Sequence, residues 1–345
     1  MAWEKLGTAS VSGTTANTSW KELDRVTLGS AGDSLDSGTF TAKDNIMILG
    51  HFIHSDEIKP LLRLGNSTID TGSNYAMNGG QNGGGNTTAV SQSSITPINH
   101  QATNSIFSVG EFNNVSSQEK LGILHYNYSG GAGAGTAPDR SEITGKWANT
   151  SYQINRVEYV NTNSGSFGTG TELVVLGYDN DEADSGTNFW QELASVELSS
   201  GATSIDTGTF TAKKYLMFQL NANNTANLYP YMRFNGTTGN EYAYRKQANG
   251  TADSTNTSQP QISVYSSDKN DSLVTGYILN NTKERLAIIE SMSAFTAGAG
   301  NAPQRYETVG KWANTSNAIT SLIIFGGNGS EQFLSGTTLK VWGSD

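Results

Sequence analysis

Gly145-Lys-Trp-Ala-Asn-Thr-Ser151 occurs a second time, letter for letter, as Gly310-Lys-Trp-Ala-Asn-Thr-Ser316. A run of this length does not recur by chance, and its neighbours recur with it. Just upstream, Ala132-Gly-Ala-Gly-Thr-Ala-Pro-Asp-Arg140 matches Ala297-Gly-Ala-Gly-Asn-Ala-Pro-Gln-Arg305. Further back, Ser37-Gly-Thr-Phe-Thr-Ala-Lys43 matches Thr207-Gly-Thr-Phe-Thr-Ala-Lys213, and Trp20-Lys-Glu-Leu23 matches Trp190-Gln-Glu-Leu193. Downstream, Leu173-Val-Val-Leu-Gly-Tyr-Asp179 answers to Leu339-Lys-Val-Trp-Gly-Ser-Asp345. Blocks repeated in one order mark a tandem duplication. They divide the chain into an N-terminal arm (1–17), a first repeat (18–179), an acidic linker (180–186) and a second repeat (187–345). Trp3-Glu-Lys-Leu6 echoes Trp20-Lys-Glu-Leu23, so the arm reads as an extra strand or as a tether to a partner.

Between the blocks, apolar residues come in short runs. Val26 and Leu28, like Val196 and Leu198, stand two apart, the period of one face of a strand. Asn45-Ile-Met-Ile-Leu-Gly-His-Phe-Ile53 and Tyr215-Leu-Met-Phe-Gln-Leu220 read as centrally buried strands. Roughly seven or eight strands per repeat are expected on this pattern, with no amphipathic helix. Only 15% of residues are charged, and Gly, Ser, Thr and Asn fill the turns. The fold class is all-β: two tandem β-sandwich domains of jelly-roll type.

The chemistry of the chain is sparse. Net charge is −10 and the basic residues are scattered singly, so neither nucleic acid nor an anionic membrane is an expected partner. There is no apolar leader at Met1-Ala-Trp-Glu-Lys5 and no run long enough to cross a bilayer. Absence of cysteine excludes disulfides and thiolate metal sites. Of the histidines, His51 and His54 lie three apart on a strand and point to opposite faces, while His100 and His125 have no partner in sequence. No metal and no cofactor is therefore expected. Asp179, Asp181, Glu182 and Asp184 could offer oxygens to calcium but lack the spacing of a calcium loop, and read as a solvated linker.

Carboxylates common to both repeats (Glu22/Glu192, Asp36/Asp206, Glu119/Glu284, Glu142/Glu307) belong to the framework rather than to one active site, so no catalytic residue is assigned. Asp36 and Asp206, each before Ser/Thr-Gly, should make turn hydrogen bonds, and Glu142 and Glu307 strand-edge ion pairs. The glycine-rich stretches 130–135 and 296–300 read as wide turns, since no helix and no Gly-Lys-Ser/Thr follows. Trp20, Phe40, Arg140 and Trp147, with their counterparts Trp190, Phe210, Arg305 and Trp312, are the structural residues common to both repeats. Trp147 and Trp312 would cap the cores, although a Trp beside a Lys also suits stacking on a sugar. Tyr229, Tyr231, Tyr242 and Tyr244, concentrated in the second repeat, form a candidate contact surface or else pack in strands. A binding site, where present, is expected in loops the repeats do not share, such as Gly79–Gly85.

The string Trp-x-Glu-Leu, Gly-Thr-Phe-Thr-Ala-Lys, Ala-Gly-Ala-Gly-x-Ala-Pro-x-Arg, Gly-Lys-Trp-Ala-Asn-Thr-Ser resembles repeats in virion proteins of tailed phages, notably marine and cyanobacterial ones. The resemblance covers both repeats. It implies a virion structural protein assembled in the bacterial cytoplasm, a capsid decoration (cement) protein first and a tail or fibre component second. Major capsid or tail proteins would be its partners, with the chain itself a homo-oligomer. A carbohydrate-binding adhesin, with a host-surface glycan as ligand, is the alternative from another class.

Overall fold

A computed structural model describes residues 20–97, 104–180, 188–224, 228–264, 271–294, 299–327 and 332–345. The N-terminal arm, His100 and all of the linker except Asn180 lie outside the described residues, as does most of the second glycine-rich stretch. The first repeat runs β1 (Lys21–Thr27), β2 (Ser34–Asp36), β3 (Asn45–His54), β4 (Pro60–Asn66), β5 (Thr68–Ile69), β6 (Tyr75–Gln81), β7 (Thr87–Gln92), β8 (Asn104–Asn113), β9 (Lys120–Tyr128), β10 (Asp139–Trp147), β11 (Arg156–Asn161) and β12 (Glu172–Tyr178). The second runs β13 (Gln191–Glu197), β14 (Ser204–Asp206), β15 (Tyr215–Ala222), β16 (Pro230–Phe234), β17 (Tyr242–Ala248), β18 (Ser254–Gln259), β19 (Ile262–Ser263), β20 (Ser272–Leu279), β21 (Arg285–Ser293), β22 (Gln304–Trp312), β23 (Leu322–Gly326) and β24 (Thr338–Ser344).

Each repeat is an antiparallel sandwich. An eight-stranded sheet, β1-β12-β3-β8-β9-β10-β6-β7, faces a four-stranded one, β2-β11-β4-β5. The second repeat has the same order strand for strand, β13-β24-β15-β20-β21-β22-β17-β18 over β14-β23-β16-β19. The expected strand count was too low for a physical reason. Strands such as β7 (Thr-Thr-Ala-Val-Ser-Gln) and β18 (Ser-Thr-Asn-Thr-Ser-Gln) lie exposed at sheet edges and carry almost no apolar signal.

The repeated blocks hold this framework. Trp147 and Trp312 are buried, and their indole nitrogens donate to Asp70 (2.7 Å) and Glu241 (2.9 Å). The glycine before each Lys-Trp has a steric cause: a Cβ on Gly145 would stand 2.7 Å from Ile95 Cδ1, and on Gly310 2.7 Å from Ile262 Cδ1. Gly145→Ala and Gly310→Ala should each cost about 1–3 kcal/mol by overpacking, measurable as a lowered urea midpoint. In the following turn, Asn149 Oδ1 accepts from the amides of Ser151 and Tyr152, and Asn314 Oδ1 from those of Ser316 and Asn317. Gly38 and Gly208 adopt positive φ (68° and 65°) and donate to Asp36 and Asp206, both at 2.9 Å. The sequence reading passed over the buried Asn114 and Asn280. They tie the Thr-Ala-Lys block to the far sheet by accepting from Ile154 and Ile319 and donating to Lys43 and Lys213 carbonyls.

The sandwiches are not independent beads. A third apolar core lies between the two large sheets, formed by Met47, Leu49, Phe107, Val109, Val174 and Leu176 of the first repeat and Tyr215, Leu279, Leu286, Ile288 and Val309 of the second. Phe189 and Trp190 join it. This explains why β3 and β12 are buried on both faces. The molecule is four layers deep, small sheet, large sheet, large sheet, small sheet.

Candidate functional site: a one-sided cleft between the repeats

Strand register assigns each outward-facing residue of one large sheet a counterpart in the other. In sheet one Met47 pairs with Leu176 and Glu111; in sheet two Met217 pairs with Trp342 and Tyr277. Glu111 is thus the counterpart of Tyr277, and by the same reasoning His125 of Glu290. These counterparts touch each other: Tyr277 Oη donates to Glu111 Oε1 at 3.2 Å, and His125 Nε2 lies 3.0 Å from Glu290 Oε1. Contact between equivalent residues is the mark of a local two-fold axis. That axis runs between the sheets, along the diagonal from Glu111 to His125.

On one side of the axis the sheets close. Leu49, Val109 and Val174 of sheet one meet Leu279, Ile288 and Val309 of sheet two in the third core. On the other side the same relation brings the counterparts together, and there the sheets stand apart. Gln219, Thr275 and Lys340 replace Leu49, Val109 and Val174, while Asn113, Ile123 and Thr144 replace Leu279, Ile288 and Val309. Polar groups facing each other lose the hydrophobic drive to close and keep water. The result is a cleft of about 1000 Å³, walled by Leu121, Ile123, Asn78 and Thr144 on one side and by Met217, Gln219, Thr275 and Trp342 on the other. Trp20 and Tyr178, edge to face at 4.7 Å, stand at its end. Past the His125–Glu290 pair the groove continues as a recess of about 750 Å³ lined by Leu273 and Met292. Leu121 (56%), Ile123 (55%), Met292 (47%) and Leu273 (36%) are large apolar side chains that this opening leaves in solvent.

Charged groups lock the closed side. Glu172 is buried and accepts from Arg25 (2.9 Å) and Thr27 (2.7 Å) of its own repeat and from Tyr215 (2.8 Å) of the other, with Lys214 Nζ at 2.8 Å. Burial alone would raise its carboxyl, but the hydrogen bonds from Lys214, Thr27 and Tyr215 outweigh that and hold it below its ordinary value. Next to it on the sheet, His51 is buried with Nε2 2.7 Å from Asn281 Nδ2. Desolvation, reinforced by nearby Lys214, pushes its pKa down to about 3. At the other end, Arg140 of the first repeat reaches Asp253 (3.0 Å) and Glu307 (2.8 Å) of the second, besides its own Glu142. Lys311 is fully buried and donates to the carbonyls of Ser129 (2.9 Å) and Gly131 (2.6 Å), which places the first glycine-rich turn against repeat two. Desolvation lowers the Lys311 pKa, with Glu284 working against it.

Several sequence expectations are corrected here. Glu142 and Glu307 do make ion pairs, but inside the sheets and between repeats rather than at a strand edge. Half of the tyrosine cluster, Tyr242 and Tyr244, is buried and so unavailable as a contact surface. Tyr242 is fully buried and stacks on Trp312 (6.2 Å, 15°), Tyr244 is buried in the same core, Tyr231 tilts against Phe325, and Tyr229 alone is markedly exposed. Tyr75 at the Tyr242 position of the first repeat, equally buried, already carried that signal. The stretch Gly79–Gly85, expected as an unshared loop, is the end of β6 and its turn into β7, and the second repeat has the same positive-φ pair in Asn249-Gly250; in the first repeat the turn docks, since a Cβ on Gly83 would stand 2.6 Å from Asp253 of the other repeat. Among the shared structural residues, Phe40, Phe210, Trp147 and Trp312 lie in the sandwich cores, whereas Trp20, Trp190 and Arg140 serve the junction and Arg305 is 63% exposed.

No family model and no curated protein matches the sequence. Among solved structures, the LG1-3 region of the laminin alpha2 chain aligns with 93% of this chain and 64% of its own length, at 10% identity and a TM-score of 0.22. This chain therefore spans less than two thirds of that fragment, and so distant a likeness carries no functional argument.

Proposed function

We propose that the chain is a non-catalytic structural protein of a tailed-phage particle, seated on the capsid as a decoration protein. The observation behind this reading is the use of the repeated blocks on which the phage resemblance rests. They build sandwich cores, turns and the junction between repeats, and so make one rigid four-layer body with polar loops outside. A body of that kind binds a particle by surface complementarity, as a homo-oligomer matching the symmetry beneath it. Major capsid proteins are the partners this reading names. A tail or fibre position is the second reading, favoured by the cleft, for which a purely cementing protein has no use. Quantitative mass spectrometry of purified particles separates the two. Hundreds of copies per particle are expected for decoration and a handful for a tail component. Absence from particles would overturn both.

A further inference from the structure

The open half of the junction has the chemistry of a ligand site. Its volume lies at the upper end of the roughly 300–1,000 Å³ range of small-molecule sites, which suits a chain of several rings rather than a single small molecule. Its walls are the faces of two sheets, whose backbone groups are already paired within the sheets, so an extended peptide finds no edge to join. The apolar contribution is partly aliphatic, from Leu121, Ile123 and Met217, and partly flat and aromatic, from Trp342 on one wall and Trp20 with Tyr178 at the end. An aromatic face is electron-rich and attracts weakly positive C–H groups. Beside these rings, the side chains of Asn78, Gln219 and Thr275 have no hydrogen-bond partner among the described residues. They offer both donors and acceptors.

Charge narrows the choice further. Glu111 and Glu290 lie at the base of the cleft, and the lysine on its wall, Lys146, is already paired with Glu119 at 2.9 Å. Sulfated, sialylated or phosphorylated ligands would meet carboxylates with no unpaired cation to compensate them. A lipid chain would bury the Gln219, Thr275 and Asn78 side-chain groups without partners, at a cost.

We propose that this cleft binds a neutral oligosaccharide, with Trp342 stacking on a sugar ring and Gln219 and Asn78 bonding its hydroxyls. The proposal does not depend on where in a particle the protein sits. Purified full-length protein should be screened on an array of defined neutral, N-acetylated, sialylated and sulfated oligosaccharides, and any retained glycan titrated by calorimetry. A neutral glycan should be retained and should change the intrinsic tryptophan fluorescence. Trp342→Ala and Gln219→Ala should each weaken it at least tenfold, while Tyr229→Ala, outside the cleft, should leave it unchanged. Gln219→Ala removes only a partly exposed amide, so it carries the test if Trp342→Ala fails to fold. The proposal is overturned if no glycan is retained, if only acidic glycans are, or if binding survives both cleft substitutions. It is equally overturned if sedimentation shows the protein self-associating and Trp342→Ala abolishes that, since a second copy would then be the occupant.

Discussion

Replacing Arg140 by alanine should lower the unfolding free energy by about 3–5 kcal/mol, whereas replacing Arg305, the same residue of the same motif, should change it by about 1 kcal/mol or less. Arg140 has 5% of its side chain exposed and faces Asp253, itself 1% exposed, together with Glu142 and Glu307. Without the guanidinium, the buried Asp253 keeps, among the described residues, only Arg245 at 3.9 Å, and most of the cost is that of a buried carboxylate stripped of its close partner. Arg305 is 63% exposed and pairs with Glu307 at 3.3 Å in solvent, where screening removes most of the attraction. Urea denaturation of the two variants measures the contrast. Equal losses would mean that the Arg140 cluster contributes no more than a surface ion pair.

The second large effect is on acid stability. An imidazole in the unfolded chain takes up a proton near the ordinary value of 6.5, but His51 in the folded protein does so only near about 3. Between those values the unfolded state binds a proton the native state refuses, so stability falls as pH drops through the window. The full span is worth about 4 kcal/mol at pH 3. Glu172 acts in the same direction lower down: its folded value is depressed, so its contribution is present above the unfolded carboxylate range and is lost as pH falls from that range through the lower folded value. Both groups lie on the closed side of the junction, so acid should loosen the repeats from each other. His51→Gln keeps hydrogen-bonding groups but has no proton to gain, and its urea midpoint should fall less steeply from pH 6.5 to 5 than that of the wild type, keeping only the slope that His54, also depressed by burial, supplies. A wild-type slope unchanged by the substitution in that range would remove His51 as the cause.

The duplication and the sandwich class are legible in the sequence because they rest on local signals: identical blocks, period-two alternation and turn residues. Gly145 and Gly310 even locate a close approach before the neighbour is known. What the sequence hides is the surroundings of identical residues. Lys146 and Lys311 sit in the same seven-residue block, yet the first lies in solvent beside Glu119 and the second is fully buried under a turn of the other repeat. No property of the block distinguishes them, because the difference comes from residues far away in the chain. The cleft did leave a trace. Leu173-Val-Val-Leu176 against Leu339-Lys-Val-Trp342 differs only at outward positions, Val174 to Lys340 and Leu176 to Trp342. Such a pattern says that one copy's outer face is covered where the other's is open, but it is readable only once strand register fixes which way each residue points. The tyrosine cluster misled for the opposite reason: Tyr242 and Tyr244 stand two apart in β17 and so share one face of the strand, and nothing in their spacing says that this face is the inward one.

The open half of the two-fold junction has a genetic consequence. In a dimer of two identical chains, every codon is expressed on both sides of the axis, so a change from leucine to glutamine would enter the closed half and the open half together. Sealing one flank while wetting the other is impossible under that constraint. Encoding both copies in one reading frame removes it, because Leu49 and Gln219 answer to separate codons. The cleft is a shape that two identical chains cannot evolve.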